Sequence, residues 1–373
     1  MASRPDAESK APGIFDEGAL IRWVEGQGYP ASVASKVYRA VVPGIKSGGG
    51  WDEIFALGSR PQLQLPPILP SLRREFVLFT SRIVETLEST NTTKHVIELR
   101  SGHRVESVVM RHEDRTTVCV SSQVGCQMGC TFCATGTMGI LADLTACEIV
   151  EQVAFAGKVR NVVFMGMGEP LMNYDNVTKA VEMLTASGSW ELRRKSVTIS
   201  TVGVPNFRKL SREFPEVQVA LSLHAPTQAL RECLVPAARA MPMPKLMEAL
   251  DEHLVGKKYP VMLEYVLLKD VNDQPEHAEQ LVELLKARNV MVNLIPYNPN
   301  LTAETYGYEQ PSKEATRAFG ARLVKRGLRV RERKEFGSEI AAACGQLALP
   351  LLALLAAAAA GAALLALSSS SSS

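Results

Sequence analysis

From Thr116 onward the sequence repeats one unit, a short apolar run followed by an amphipathic stretch with helical spacing. The apolar runs fall near residues 116–122, 161–166, 195–200, 217–223, 261–268 and 290–296, which makes six cycles. Strands joined through helices pair in parallel, since a tight hairpin can join only antiparallel neighbours. The fold class this predicts is α/β: a parallel sheet curved into a full or partial (β/α)6 barrel with its helices outside.

In such a sheet, reactive groups gather where the strands end. The residues after successive runs are unusual for ordinary turns. A cysteine loop follows the first, and Gly166-Met167-Gly168-Glu169-Pro170 follows the second. Ser200-Thr201-Val202-Gly203 ends the third, Ser222-Leu223-His224 the fourth and Pro296-Tyr297-Asn298-Pro299 the sixth. Polar and glycine-rich ends in register are expected to converge on one rim.

The first loop carries Cys126, Cys130 and Cys133 in the pattern C-x-x-x-C-x-x-C. A structural zinc ion wants four ligands and usually shows paired C-x-x-C knuckles, which are missing here. Three thiolates on a four-iron cluster leave one iron open to bind a small molecule. Seven cysteines in 373 residues, three of them clustered, fit a reducing compartment and a metal centre better than a disulfide framework. Cys147 and Cys233 lack any such context and are expected in helix cores, while His103, His112, His253 and His277 are expected at the surface.

The remaining chain divides by composition. Residues 1–13 are expected to be disordered, and 14–95 to form a small helical module with helices near Ala19–Gln27 and Ser32–Val42, a Gly48-Gly49-Gly50 linker and a Pro66-Pro67 break. Residues 96–110 alternate around Ser101-Gly102-His103 and predict a hairpin leading into a core that runs to residue 346. Residues 347–373 are a low-complexity Ala/Leu/Ser tail, long enough to cross a bilayer but interrupted by Pro350 and poor in insertion energy, so no membrane anchor is expected. Net charge is only +2, but residues 313–334 hold nine basic side chains against Glu314 and Glu332. That stretch suits phosphates, or else is a solvated helix face followed by an edge strand. No signal or transit peptide is evident, and a cytoplasmic location is expected, with plastid or mitochondrial matrix as the alternative.

A three-cysteine loop after the first strand of such a partial barrel resembles the radical S-adenosylmethionine superfamily. The strings VCVSSQVGC at Val118–Cys126, FMGMGEPLMN at Phe164–Asn173, SLHAP at Ser222–Pro226 and ACGQL at Ala343–Leu347 are more narrowly similar to the RlmN/Cfr family of RNA adenosine methyltransferases. The resemblance spans about residues 96–347 and ends where the Ala/Leu tail begins. It implies a 4Fe-4S cluster on Cys126, Cys130 and Cys133. It also implies S-adenosylmethionine held by Gly168, Glu169, Ser200, Ser222, Leu223, His224 and Asn298.

Carbons 2 and 8 of adenine are electron-poor and resist simple methyl transfer, so the resemblance implies a relay. Cys344 takes a methyl group from one S-adenosylmethionine, and a radical derived from a second removes hydrogen from it. The carbon then joins the ring, Glu106 removes the ring proton, and Cys119 releases the product by forming a disulfide with Cys344. The implied substrates are large-subunit rRNA and tRNA, with carbon 2 favoured and a Cfr-like carbon 8 preference, or a radical enzyme acting on another substrate, as alternatives. Arg193, Arg194, Lys195 and the 313–334 segment are expected RNA contacts. A monomer reduced by a donor such as flavodoxin or ferredoxin completes the expectation.

Overall fold

The architecture was read from a computed structural model, which describes residues 10–334 and 336–347. Four helices open it: α1 (Glu17–Gly26), α2 (Val33–Lys46), α3 (Trp51–Gly58) and α4 (Leu69–Glu75). Asp16 caps α1 by accepting from the Ala19 N–H at 3.0 Å. Leu20, Val24, Val37, Val41, Ile54 and Leu72 turn inward and are fully buried, the apolar faces that the helical spacing requires. Pro12 and Gly13 do not hang free: the Pro12 carbonyl accepts from Val77 N–H at 3.0 Å, and Gly13 bridges to Val77. That corrects the expected disorder at this point, while residues 1–9 and 348–373 lie outside the described residues.

The helical module ends sooner than composition implied. Strand β1 (Arg82–Glu88) lies within the segment expected to be helical, and β2 (Thr92–Glu98) and β3 (Arg104–Arg111) form the hairpin, three antiparallel neighbours in one sheet. β1 was missed because it is exposed along most of its length and shows no apolar alternation. The chain continues through β4 (Thr116–Cys119) and a separate small hairpin of β5 (Gln123–Cys126) with β6 (Gly139–Asp143). Beyond it come α5 (Ala146–Phe155), β7 (Asn161–Phe164), α6 (Tyr174–Thr185), β8 (Val197–Thr201), α7 (Asn206–Glu213) and β9 (Gln218–Ser222). The last part is α8 (Gln228–Leu234), α9 (Met243–Leu254), β10 (Val261–Leu267), α10 (Pro275–Leu285), β11 (Val290–Pro296), α11 (Ala303–Tyr306), α12 (Lys313–Lys325) and β12 (Arg329–Glu332).

The main sheet runs β1-β2-β3-β4-β7-β8-β9-β10-β11-β12, and every pairing from β4 to β12 is parallel. This is the expected partial barrel with one extra parallel strand at its edge. Val162, Val197, Ile199, Leu221 and Leu263 are fully buried, as residues of a parallel sheet covered on both faces must be.

A buried carboxylate ties the helical module to the barrel. Glu151 of α5 accepts from the N–H and hydroxyl of Thr80 at 2.6 and 2.9 Å, and from the N–H of Ser81 at 3.0 Å and its hydroxyl. Cys147, one turn earlier, is buried as expected; Cys233 on α8 is exposed, correcting the expectation that it sits in a core. His253 also departs from expectation: it is buried against Phe207, with ring centroids 5.3 Å apart, and its Nδ1 lies 2.7 Å from the Ser211 hydroxyl. Among the described residues no helix is long and apolar enough to cross a membrane.

Candidate active site

One cavity opens at the ends of the parallel strands, and residues from every strand-end loop singled out in the sequence line it. Cys126, Cys130 and Cys133 contribute from the loop after β4, Gly168 and Glu169 from that after β7, and Ser200, Ser222, His224 and Asn298 from the later strands. Cys119, at the end of β4, and Cys344, 225 positions further on, face the same space. Two of the expected residues are not in its wall. Leu223 is fully buried behind it, and Glu106 lies deeper on β3, on the same face as the lining residues Val108 and Met110.

The cysteine loop is built as a cradle. Gly125 has φ +79°, and a Cβ there would lie 2.0 Å from the Gly139 carbonyl, so the close β5–β6 pairing admits only glycine. Backbone N–H groups already point at the sulfurs: Met128 at Cys126, and Gly136 and Thr135 at Cys133. Burial pushes the Cys126 thiol up to about 12 and raises Cys130 and Cys133, with Cys133 adding to the cost at Cys126 and both of these adding to it at Cys130. Neutral thiols there are held by desolvation, and a bound cation reverses that balance. Among the described residues no three His, Cys, Asp or Glu groups converge on a point that would hold a single metal ion. A lone zinc would need its sulfurs each at about 2.3 Å. A four-iron cluster spreads its thiolates further, and N–H···S bonds are a feature of such sites. The donor set fits the cluster.

Glu169 is buried, and its carboxylate accepts from Val202 N–H at 2.9 Å and Leu171 N–H at 3.2 Å. Burial lifts it to about 7 against those donors, so it is poised to ionise beside a cationic ligand such as an ammonium group. Gly168, at φ +101°, lets the chain pass Gln123, where a Cβ would sit 2.6 Å from the Gln123 Cβ. Gln123 in turn accepts the Glu169 N–H at 2.9 Å, which fixes the turn. The Ser200 and Ser222 hydroxyls lie 3.2 Å apart, leaving hydrogen-bonding capacity toward the cavity. His224 has φ +60°, and its Nδ1 accepts from Val266 N–H at 3.1 Å, which places the ring proton on Nε2. Burial lowers its pKa to about 3, so the ring is a neutral donor.

The segment that carries Cys344 is strapped across the cysteine loop. Ala134 N–H donates to the Gly345 carbonyl at 2.9 Å, Asn298 to the Cys344 carbonyl at 3.1 Å, and Thr135 to the Leu347 carbonyl. Lys94 donates to the Ala341 carbonyl at 3.2 Å and pairs with Glu106 at 2.9 Å, with both side chains buried. Glu106, at the hairpin position where an exposed glutamate is commonplace, is thus interior and coupled to this strap.

Sequence reasoning missed Arg333 and Glu264. Both line the cavity, 3.8 Å apart, and Asn293 donates to Glu264 at 2.8 Å. Burial pushes the Cys119 thiol up to about 12 and also raises Cys344, while the charge of Arg333 pulls both back down. A carboxylate inside the apolar run 261–268 was the available signal, because buried charge needs a partner. The expected RNA contacts Arg193, Arg194 and Lys195 precede β8 and so sit at the opposite end of the strand from this rim. Arg322 and Arg326 of the basic stretch pair with Glu279 on α10, at 3.7 and 3.5 Å.

A family model described as the radical SAM superfamily matches residues 120–285, which hold the cysteine loop and the first four strand ends. Fold, donor set and match together define a radical S-adenosylmethionine enzyme, whose cofactors are a 4Fe-4S cluster and S-adenosylmethionine. A probable dual-specificity RNA methyltransferase RlmN of Akkermansia muciniphila is 42% identical over 301 residues, covering 76% of this chain and 83% of that protein. A second, RlmN 2 of Protochlamydia amoebophila, is 37% identical over 350 residues, covering 90% and 93%. The crystal structure of a radical SAM methyltransferase from Sphaerobacter thermophilus superposes with a TM-score of 0.81 at 34% identity, covering 90% of this chain and 99% of that one. The chain belongs to the RlmN family of radical S-adenosylmethionine RNA methyltransferases.

Proposed function

We propose that this enzyme methylates carbon 2 of an adenosine in large-subunit rRNA and in tRNA, through an S-methyl group carried on Cys344. The observation that carries this reading is the meeting of Cys119 and Cys344, remote in sequence, in the cavity lined by the three cluster cysteines. A radical enzyme of another kind needs the cluster loop but has no use for two further thiols there.

Bound in the cavity, the cluster and S-adenosylmethionine supply the transferable methyl group and a hydrogen-abstracting 5′-deoxyadenosyl radical. The protein does the rest. Cys344 is the methyl acceptor, and its attack requires the thiolate. Arg333 favours that form in a site where burial opposes it. Once the carbon has joined the ring, Glu106 is the proposed acceptor of the ring proton, its carboxylate kept inside the barrel by Lys94. Cys119, as the thiolate, then attacks the Cys344 sulfur: an S–S bond forms, the bond from sulfur to the linking CH2 carbon breaks, and that carbon keeps the electron pair and takes up a proton to become the methyl group. Gly168, Glu169, Ser200, Ser222, His224 and Asn298 are the proposed contacts of S-adenosylmethionine, with Leu223 acting only through its backbone. Residues 14–95 are the proposed accessory RNA-binding part and 96–346 the core. A monomeric cytoplasmic enzyme reduced by flavodoxin or ferredoxin completes the reading.

The test is anaerobic reconstitution with iron and sulfide, then incubation with methyl-labelled S-adenosylmethionine and unmodified ribosomal RNA. Label in 2-methyladenosine, absent with Cys344→Ala, is expected. Label in 8-methyladenosine moves the enzyme to the carbon 8 reaction, and deoxyadenosine without RNA methylation overturns the relay.

A further inference from the structure

The strap that bears Cys344 has a second side. A recess adjoining the first cavity lies between the first turn of α12, the end of β11 and the residues following β12, and eight of its fifteen lining residues, Asn298, Arg333, Ala343 and Cys344 among them, are common to both. None of the cluster cysteines, Glu169, Ser200, Ser222 or His224 lines it. Cys344 therefore stands where the cavity furnished for cofactors adjoins a recess that is not so furnished.

The furnishing of the recess is of a different kind. Phe336 is half-buried there, with the His112 ring edge-on at 5.0 Å and the Lys334 ammonium 5.5 Å from its centroid. Lys313 and Lys334 are exposed at its rim, and among the described residues Glu332 is the one carboxylate residue lining it. An aromatic ring among lysines is the combination that holds single-stranded nucleic acid, with stacking for the base and cations for the phosphates. A target adenosine must also leave its helix to reach a thiol that stands at the wall of a cavity.

We propose that this recess is the RNA nucleotide subsite, with the base stacked on Phe336 and its flanking phosphates at Lys313 and Lys334. It rests on the RNA methyltransferase reading above and specifies where that substrate enters. The base meets Cys344 from the recess, while S-adenosylmethionine occupies the first cavity, so neither has to leave for the other. Glu332 offers an acceptor for an exocyclic amino group, which adenine has and uracil lacks. Of the nine basic side chains of segment 313–334, Lys313, Arg333 and Lys334 line the recess.

The experiment is fluorescence anisotropy of the reconstituted full chain with a labelled RNA hairpin bearing an unpaired adenosine. The variants are Phe336→Leu, Phe336→Trp, the double Lys313→Glu/Lys334→Glu, and Lys258→Glu as a charge control on an exposed loop. Deoxyadenosine formation from S-adenosylmethionine without RNA reports on the cofactor cavity. Phe336→Leu is expected to weaken binding about tenfold or more, with Phe336→Trp restoring it. The double lysine variant is expected to weaken binding and flatten its salt dependence, while Lys258→Glu and RNA-free deoxyadenosine formation stay unchanged. Unchanged RNA affinity in both Phe336→Leu and the lysine pair, with the wild type binding and methylating RNA, overturns the subsite alone. A wild type that does not bind RNA overturns the function itself. Should the variants instead slow reduction by flavodoxin while RNA binding holds, the recess docks a protein donor and the proposal falls.

Discussion

Replacing Lys94 by methionine keeps the length and the apolar stem of the side chain but removes the cation from a pair that solvent scarcely reaches. The Lys94 and Glu106 side chains are 6% and 0% exposed, with Nζ 2.9 Å from Oε1. Breaking such a pair on one side costs about 3–5 kcal/mol, because the remaining charge is left desolvated. The same ammonium donates to the Ala341 carbonyl, three residues before Cys344, and losing that bond adds about 1 kcal/mol to a total that is not strictly additive. A net loss of about 4 kcal/mol corresponds to a fall in Tm of roughly 8–16 °C at about 2–4 °C per kcal/mol, the lower end applying to a chain of this size. The assay is anaerobic thermal unfolding of the reconstituted protein, beside methyl uptake at Cys344 by mass spectrometry. Lys94→Met/Glu106→Gln should recover most of the stability, since an amide has no charge to bury, but not RNA methylation. A single variant that loses under about 1 kcal/mol, or a double variant no better than the single, would refute a desolvated pair.

Three other outcomes follow from the same geometry. Cys119→Ala should still methylate Cys344 but accumulate protein joined covalently to RNA, visible as a slow band on a denaturing gel; free methylated RNA at the wild-type rate would remove Cys119 from product release. Gly168→Ala forces a Cβ to 2.6 Å from Gln123 at φ +101°, a strain and clash of about 2–5 kcal/mol, and should sharply weaken S-adenosylmethionine binding by calorimetry. His253, buried with its pKa lowered to about 4 by burial and by the charge of Lys257, excludes a proton that the unfolded chain binds near 6.5. Its stability contribution is full above pH 6.5 and is lost as pH falls toward 4, so urea midpoints should show about 2 kcal/mol less stability at pH 5 than at pH 7. His253→Gln should flatten that slope, and an equal slope in the variant would place the titrating group elsewhere.

The first layer of this protein could be read from local pattern. The apolar strand runs of the β/α cycles, the three cysteines and the glycine turn at Gly166–Glu169 are each encoded within about a dozen residues, because strand periodicity, ligand spacing and positive φ are short-range requirements. The convergence of the strand ends followed from topology alone, since parallel strands put their carboxyl ends on one side. Edges were harder. β1 escaped notice because an exposed edge strand has no buried face to impose alternation, and His253 because a single polar residue on a helix does not reveal which neighbour it will meet.

What only the tertiary structure decided are the couplings between distant segments. Nothing near Arg333 in the chain says that it will stand beside Glu264 in the cavity that Cys119 and Cys344 line, or that Lys94 will reach across to Glu106 and the Ala341 carbonyl. Nor does local charge separate the lysines of the basic segment that face the recess from the arginines that pair with α10. The sequence by itself determined which chemistry each loop carries, because ligand type and backbone freedom are properties of neighbouring residues. The tertiary structure decided which charges are desolvated and which thiols share a wall, because burial and Coulomb energy depend on distance in space.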